Sequence, residues 1–324
     1  MKTIAIVATG GTIAGSGLLG KSDGYQAGQV DVEYIVESIP QLQELADVKM
    51  IQLCNVDSND VGLMQWIQLR DICHTLEADD SIDGIVITHG TDTLEETAFF
   101  LNLTLYCHKP VVLTGSMRPA TATSADGPMN LYQAVALASQ DVAYEKGVLA
   151  VFSDTIYSGR DLQKTNSYKT DAFKMGEFGA LGYMRDEQVY LLNEPHKKHT
   201  YQTEFSSLQI TTFPKVGIFY AHTDADPALL EWMMEQYDGI VIAGTGAGNY
   251  SQAIQKVIQK NEGVYIVRSS RLLEGAVFDS KVFDPLQKTI PAFKFSCQKA
   301  RILLALSLLV TKDQKEISNI FREY

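Results

Sequence analysis

Short apolar runs alternate along the first half of the chain with stretches of helical spacing. Residues 3–7 form a β-branched run that predicts a buried strand. Further strand-like runs lie at 48–53, 84–88, 110–114 and 147–152, and helical spacing lies at 31–46, after Asp60, after Thr93 and at 128–139. This alternation predicts a mostly parallel sheet with helices on both faces. In the helix after Asp60, the residues expected to share one face are Val61, Met64, Ile67 and Leu69.

A polar segment interrupts this alternation in the middle of the chain. From about Asp186 to Pro214 no period persists, which is typical of a linker. The alternation then resumes with strand-like runs at 216–220, 239–243 and 263–267 and with helices at 227–237, 251–260 and 297–310. We therefore expect two α/β domains, a candidate catalytic one over 1–190 and a C-terminal one over 213–324, joined by a linker over 191–212.

The charge balance narrows the classes of partner. The 324 residues include 27 basic and 39 acidic side chains, for a net charge of −12, which repels nucleic-acid backbones and anionic membrane surfaces. No stretch of the sequence approaches the roughly 20 apolar residues of a membrane span. We therefore expect a protein that binds neither nucleic acid nor membrane, and the scattered, unpaired cysteines lead us to expect a cytoplasmic location.

The cysteines do not suggest a metal or redox site. They are widely scattered and form no CxxC pair, at Cys54, Cys73, Cys107 and Cys297. Zinc sites and dithiol motifs need closely paired cysteines, so reduced thiols are expected instead. The sequence predicts no metal and no cofactor.

Polar residues follow four of the predicted strands. Thr12 follows the first strand through Gly10 and Gly11, whose missing side chains let a ligand approach the backbone. The others are Ser58 and Asn59 after the second strand, Thr91 and Asp92 after the third, and Ser116 after the fourth. Ligands of open α/β sheets bind at the carboxyl ends of the strands, so we expect these side chains to line one site. The alternative for Thr12 is an ordinary turn with a solvated threonine.

Lys164 is the candidate general base of this site. A threonine hydroxyl is a poor nucleophile until a neighbouring group takes its proton, and a lysine can do so. Lys164 lies in a loop after the fifth strand, and Asp92 would anchor either this lysine or a substrate ammonium. The alternatives are a solvated surface lysine and, for Asp92, an N-cap of the helix that follows.

The segment GSGLLGKS at residues 15–22 matches the phosphate-binding pattern GxxxxGK[ST]. That pattern needs a strand ending directly before it and a helix starting directly after it. The predicted strand ends several residues earlier, and the residues after Ser22 do not begin a helix. We favour a flexible glycine-rich lid over a small substrate, and a nucleotide-binding enzyme is kept as an alternative.

Five segments resemble, in order and spacing, the bacterial L-asparaginases: ATGGTIAG, HGTDTLEETA, MRPATATSADGPMNLYQA, GRDLQKTN and AGTGAGN. The resemblance spans essentially the whole chain. It implies an amidohydrolase that converts L-asparagine to L-aspartate and ammonia, with L-glutamine as a minor substrate. It also implies a larger N-terminal and a smaller C-terminal α/β domain, and a homotetramer of intimate dimers whose active sites are shared between subunits.

The resemblance also implies a role for each matched position. Thr12 would be the nucleophile, Tyr25 a lid residue that helps to activate it, and Thr91, Asp92 and Lys164 a second catalytic group. The remaining positions would bind substrate, with Ser58 and Asp92 at its α-carboxylate and α-ammonium, Asn59 and Ser116 beside them, and Asn249 reaching in from the neighbouring subunit.

Three positions depart from the family pattern. Asn59 stands where strongly glutamine-hydrolysing members often carry glutamine, which favours asparagine as substrate. A glutamate that crosses the dimer interface is expected near Lys281, and Glu274 or Asp279 could substitute for it. Cys107 lacks the partner cysteine of secreted members, in agreement with a reducing compartment. An amide-binding regulatory module is the remaining alternative to an enzyme.

Overall fold

The structure is a computed structural model that describes residues 1–15, 17–21 and 31–324. These residues form two compact units, an N-terminal unit, Met1–Gln209, and a C-terminal unit, Ile210–Tyr324. The strands are β1 (Thr3–Gly10), β2 (Asp47–Val56), β3 (Gly84–Thr88), β4 (Val111–Thr114), β5 (Val148–Phe152), β6 (Thr155–Ser158), β7 (Gln163–Lys164), β8 (Phe173–Lys174), β9 (Gly182–Arg185), β10 (Gln188–Leu191), β11 (Val216–Tyr220), β12 (Gly239–Gly244), β13 (Tyr265–Ser270) and β14 (Thr289–Pro291). The helices are α1 (Val32–Glu37), α2 (Leu42–Leu45), α3 (Leu63–Ala78), α4 (Leu94–Thr104), α5 (Gly127–Ala138), α6 (Pro227–Gln236), α7 (Gln252–Lys260), α8 (Cys297–Val310) and α9 (Gln314–Glu323). The finer division with a linker over 191–212 stays a prediction.

The large sheet of the N-terminal unit confirms the predicted α/β fold class. Its strand order over the described residues is β10-β9-β6-β5-β4-β3-β1-β2, and the pairs from β2 to β5 are all parallel. Strands β3, β4 and β5 are buried along their whole length, which explains their continuous apolar runs, since helices cover both faces of a parallel sheet. The chain leaves β1 toward β2 on one side and returns to β3 on the other, so their carboxyl ends open a crevice.

The far edge of this sheet differs from the sequence prediction. Strands β6, β9 and β10 pair antiparallel beyond β5, and β10 lies inside the polar segment that was predicted to lack structure. Every second residue of β9 and β10 is more exposed, so these strands carry no apolar run that would reveal them. The predicted helix over 31–46 is also divided, because Pro40 separates α1 from α2.

Of the four residues predicted to share a face near α3, only Leu69 is buried. Met64 is 60% exposed, whereas Trp66, Leu69, Arg70 and Cys73 are buried. With Leu76 these are the buried positions of α3, and the first four follow the i, i+3, i+4, i+7 spacing of one helix face. Arg70 is the polar member of this face, and its Nη2 donates to the carbonyl of Leu208.

The C-terminal unit is a smaller parallel sheet with helices packed on it. Its order is β11-β12-β13-β14, with every neighbouring pair parallel. A hydrophobic cluster holds α6 and α7 against the sheet through residues that include Leu230, Ile242, Ile254 and Ile258. Within the described residues, no helix has the length and apolar character needed to cross a membrane.

Gly11 and Gly90 pass each other at the carboxyl ends of β1 and β3. Gly11 has a φ of +80°, and a Cβ added there would lie 2.4 Å from the Cα of Gly90. A Cβ added at Gly90 would lie 2.8 Å from the Cβ of Ser58. Three chain segments therefore meet at a distance that side chains do not permit.

His89 ties the end of β3 to the helices beside it. The ring is fully buried; its Nδ1 lies 2.7 Å from the carbonyl oxygen of Gly90 and its Nε2 lies 3.0 Å from Oγ1 of Thr97. Because a carbonyl only accepts, Nδ1 carries the proton and Nε2 accepts from the threonine hydroxyl. Nε1 of Trp66 donates to the same hydroxyl at 2.8 Å. Every group is satisfied with a neutral imidazole, and burial lowers the pKa of His89 to about 4.

We expect Gly11→Ala to destabilise the protein strongly. The added methyl meets backbone atoms that cannot rotate away, and its φ is unfavourable for alanine, so the loss should be roughly 2–4 kcal/mol. Gly263→Ala is the matched control, since a Cβ at that position meets nothing within 4 Å. Urea unfolding of both variants measures the difference, and equal midpoints would contradict the close crossing.

The protonation of His89 should make stability fall as the pH is lowered from 6.5 to about 4. The unfolded chain binds a proton near the ordinary pKa of 6.5, while the folded protein does not until about 4, so the unfolded state gains stability throughout this window. The loss should total about 3 kcal/mol for this group. Unfolding free energies measured from pH 7 to 4.5 should therefore fall less steeply in His89→Gln than in the unsubstituted protein. The difference between the two isolates His89 from His74 and His199, whose pKa values burial also lowers. Parallel curves would overturn the assignment.

Candidate active site

Thr91, Asp92 and Lys164 form one hydrogen-bonded group. Nζ of Lys164 lies 2.9 Å from Oγ1 of Thr91 and 2.5 Å from Oδ1 of Asp92. Thr91 and Asp92 follow β3, whereas Lys164 comes from β7, so the fold unites residues that are 72 positions apart. The lysine side chain is 14% exposed and that of Asp92 is 56% exposed. The ammonium is therefore enclosed, while the carboxylate still faces solvent.

The environment of Asp92 keeps it ionised. The hydrogen bond from Lys164 holds the pKa of the Asp92 carboxyl below its ordinary value, and a weaker contribution comes from Asn59. Nδ2 of Asn59 lies 3.3 Å from Oδ2 of Asp92 and 2.7 Å from Oδ1 of Asp57. An exposed, ionised carboxylate with one oxygen on Lys164 can still receive a cation from solvent.

Ser58 and Thr12 lie at the same strand ends. Ser58 is buried against Gly90, and its carbonyl accepts a hydrogen bond from Oγ1 of Thr93 at 2.7 Å. Thr12 is buried in a short 3-10 turn that begins immediately after Gly11. Because Gly11 contacts Gly90, the residue after each glycine, Thr12 and Thr91, is placed beside the same crossing. Thr12, Ser58 and Thr91 therefore all adjoin the two glycines.

Ser116 is fully buried, and its hydroxyl donates to the carbonyl of Arg118 at 2.8 Å. It joins the site indirectly, since a Cβ on the preceding Gly115 would lie 3.5 Å from Cγ2 of Thr91. Within segment 15–22, which the sequence predicts to be a lid, Gly20 donates its N–H to the carbonyl of Thr121 at 2.8 Å, and Ser16 and Ser22 lie outside the described residues. Tyr25 and Gly24 also lie outside them.

Asn249 belongs to the C-terminal unit and lies on the turn after β12. Its N–H donates to the carbonyl of Thr245 at 2.7 Å, and its own carbonyl accepts from the N–H of Thr245 at 2.8 Å. Nη1 of Arg268 donates to the carbonyl of Ala247 inside this turn at 3.1 Å. These bonds fix the turn while the side chain of Asn249 stays exposed.

The loop that carries Lys164 has several anchors. The N–H of Thr165 donates to the carbonyl of Ala172 at 2.7 Å, which closes the β7–β8 hairpin. The N–H of Lys164 itself donates to Oε2 of Glu95 at 2.6 Å. Glu95 lies within the matched segment HGTDTLEETA but was assigned no role from the sequence; it is 6% exposed. Among the described residues no group of three or more metal-ligating side chains occurs.

Lys281, near which the cross-interface glutamate was expected, belongs to the C-terminal unit. Lys281 lines an open cavity of about 1020 Å³ together with Arg268 and Arg322. Asp279, one candidate substitute for the missing glutamate, lies 3.2 Å from Nη2 of Arg322. Cys107 is a free thiol whose Sγ donates to Oε2 of Glu77 at 3.0 Å.

Comparisons with known proteins agree with this geometry. The family model described as asparaginase, N-terminal, matches residues 3–197, and the glutaminase/asparaginase C-terminal domain matches residues 215–321. The chain is 42% identical to L-asparaginase 2 of Escherichia coli (strain K12), covering 100% of this chain and 94% of the relative. It is 41% identical to the glutaminase-asparaginase of Acinetobacter glutaminasificans, covering 99% of each. The crystal structure of a probable cytoplasmic L-asparaginase from Campylobacter jejuni superposes with a TM-score of 0.95 at 42% identity, covering 100% of both chains. The chain belongs to the asparaginase family.

Proposed function

We propose that this protein hydrolyses the side-chain amide of L-asparagine to L-aspartate and ammonia, with Thr12 as nucleophile. The observation that carries the proposal is the hydrogen-bonded Thr91–Asp92–Lys164 group, since Thr91 and Thr12 each follow one of the two glycines that contact each other. The relatives named L-asparaginase and glutaminase-asparaginase support the choice of reaction. The role is that of an enzyme of asparagine catabolism.

In the proposed reaction, Oγ1 of Thr12 attacks the side-chain amide carbon and its proton passes to the departing nitrogen, which leaves as ammonia. Backbone N–H groups around the glycine turn would stabilise the tetrahedral oxyanion. A water molecule activated by Thr91 and Lys164 would then cleave the acyl-enzyme and release aspartate. Tyr25 is proposed as the lid residue that assists Thr12. The residues proposed here need no metal and no cofactor for these steps.

Substrate recognition would use the charges of the amino acid. The ionised, exposed carboxylate of Asp92 is suited to the α-ammonium group. Ser58 would donate to the α-carboxylate, with Ser116 beside it. Asn59, held by Asp57 and in contact with Asp92, would limit the length of the side chain accepted. One methylene changes binding by only about 1–3 kcal/mol, so L-glutamine would be a slower, minor substrate.

We also propose that the active protein is a homotetramer of intimate dimers, in which Asn249 of one subunit completes the site of its partner. Large apolar side chains of the C-terminal unit are exposed in the segment that follows β13, at Leu272, Leu273, Phe278, Val282 and Leu286. Exposed apolar residues clustered in one segment are typical of an interaction surface. A second copy of the chain would cover them and bring the exposed Asn249 toward a neighbouring site.

A cytoplasmic location is proposed as well. All four cysteines are free thiols, as expected where thiols are kept reduced. The structure from Campylobacter jejuni is described as that of a probable cytoplasmic L-asparaginase, whereas a relative from Haemophilus influenzae is named periplasmic. Cell fractionation beside a periplasmic marker enzyme tests this location.

The nucleophile is tested by comparing Thr12→Val with Thr12→Ser in an ammonia-release assay on asparagine and glutamine side by side. Valine keeps the branched shape and removes the hydroxyl, so kcat should fall at least about a hundredfold with KM nearly unchanged. Serine keeps the hydroxyl and should retain much more activity. A Thr12→Val enzyme with more than about a tenth of the original kcat contradicts the role of Thr12. If the unsubstituted protein releases ammonia from neither amino acid, the proposed function fails.

The assembly is tested by placing charges in the exposed apolar segment. Leu273→Asp combined with Val282→Asp should reduce the mass measured by light scattering and lower kcat at least about tenfold, because shared sites become incomplete. Leu229→Asp is the control, since this residue of α6 is also exposed but lies outside the segment, and it should leave mass and activity unchanged. A smaller species that keeps full activity would show that the sites are not shared.

A further inference from the structure

Lys164 is held at both ends by one short segment, residues 91–95. Its ammonium contacts Thr91 and Asp92, and its backbone N–H donates to Glu95. The acceptors for the ammonium and for the backbone are therefore three or four positions apart, with Thr91 and Asp92 in the turn before α4 and Glu95 in its first turn. The backbone and the ammonium of Lys164 are thus both bound by one short segment.

The N–H of Lys164 that donates to Glu95 lies on the side of β7 that faces away from β8. In the β7–β8 hairpin, the bond to the partner strand is made by the next residue, Thr165, whose N–H donates to Ala172 at 2.7 Å. The N–H of Lys164 points the other way, toward α4, and meets Oε2 of Glu95 at 2.6 Å. Glu95 thus joins the hairpin to the helix whose beginning carries Thr91 and Asp92.

Glu95 is well placed to hold this position. It lies in the first turn of α4, where the helix dipole favours a negative charge. It is 6% exposed, so water competes little for its oxygens, and a bond from an N–H to a carboxylate is stronger than one to a neutral acceptor.

We propose that Glu95 is a positioning residue for the reaction, which sets the backbone of Lys164 so that its ammonium reaches Thr91. The inference rests on the role of Lys164 in the proposed function. Lysine has four rotatable side-chain bonds and no rigid geometry of its own. Without the bond to Glu95 the backbone of Lys164 loses its hydrogen bond to α4, and a small displacement of a catalytic group costs a large part of the rate.

The first test compares three substitutions of Glu95 by their steady-state kinetics on asparagine. Glu95→Ala removes the acceptor and should lower kcat about 10- to 100-fold, with KM changed less than about threefold. Glu95→Gln keeps an oxygen that accepts the same N–H and should stay within about fivefold of the original kcat. Glu95→Asp keeps the charge but withdraws the oxygen by one methylene, and should lower kcat like alanine. It supplies the contrast with glutamine if the alanine variant does not fold.

Glu77→Ala is the matched control. Glu77 is another carboxylate that accepts backbone N–H groups, from His108 at 3.1 Å and Lys109 at 3.2 Å. These residues precede β4, at the opposite end of the strands from the candidate site. Glu77→Ala should lower the melting temperature and leave kcat unchanged, which separates a loss of stability from a loss of positioning.

A double-mutant cycle gives the second test. If Glu95 acts through Lys164, Glu95→Ala should change kcat less than about twofold in a Lys164→Met background, because the group it positions is already gone. A full additional loss in that background overturns the inference, as does a kcat of Glu95→Gln reduced as far as that of Glu95→Ala. A Lys164→Met enzyme with the original kcat would instead refute the proposed role of Lys164, so the two failures are distinguishable.

Discussion

The close passage of Gly11 and Gly90 is the constraint on which the site depends. A Cβ on Gly11 would lie 2.4 Å from the Cα of Gly90, so the ends of β1 and β3 approach more closely than side chains permit. The residue after each glycine is a threonine, and the crossing therefore fixes the separation of Thr12 and Thr91. Nδ1 of His89 donates a hydrogen bond to the carbonyl of Gly90. The sheet brings the two threonines close together, and the buried histidine makes the glycine crossing more rigid.

The two carboxylates near Lys164 have different tasks because their exposure differs. Asp92 is exposed to solvent, so its carboxylate can bind both Lys164 and a substrate that enters the site. Glu95 is buried and bound to a backbone N–H, so it is suited to hold structure. Asp92 lies in the turn that leads into α4, and Glu95 lies in the first turn of that helix. A single segment can therefore neutralise the lysine, orient it and leave one carboxylate oxygen for a substrate.

The strand ends of the candidate site could be predicted from sequence because β-branched runs show where buried parallel strands finish. Their meeting at one edge follows from parallel pairing alone. Other features depend on contacts that no local pattern records. Arg70 lies on the buried face of α3, where the distant carbonyl of Leu208 accepts a hydrogen bond from its guanidinium. The half-exposed β10 has no apolar run, and Glu95 gains its importance from a strand 69 positions away.

The shifted pKa values imply an order of events in acid. The contribution of neutral His89 is complete above pH 6.5 and is lost as the pH falls toward 4. The pKa of Asp92 is held below its ordinary value by Lys164, so that ion pair contributes above the ordinary value and is lost only at lower pH, as the lowered pKa is crossed. The buried support behind the glycine crossing therefore weakens while the lysine pair is still intact. Acid should therefore destabilise the structure around the glycine crossing before it neutralises Asp92. The loss from His89 begins near its ordinary pKa of 6.5, whereas the loss from Asp92 begins only near the much lower ordinary pKa of a carboxyl.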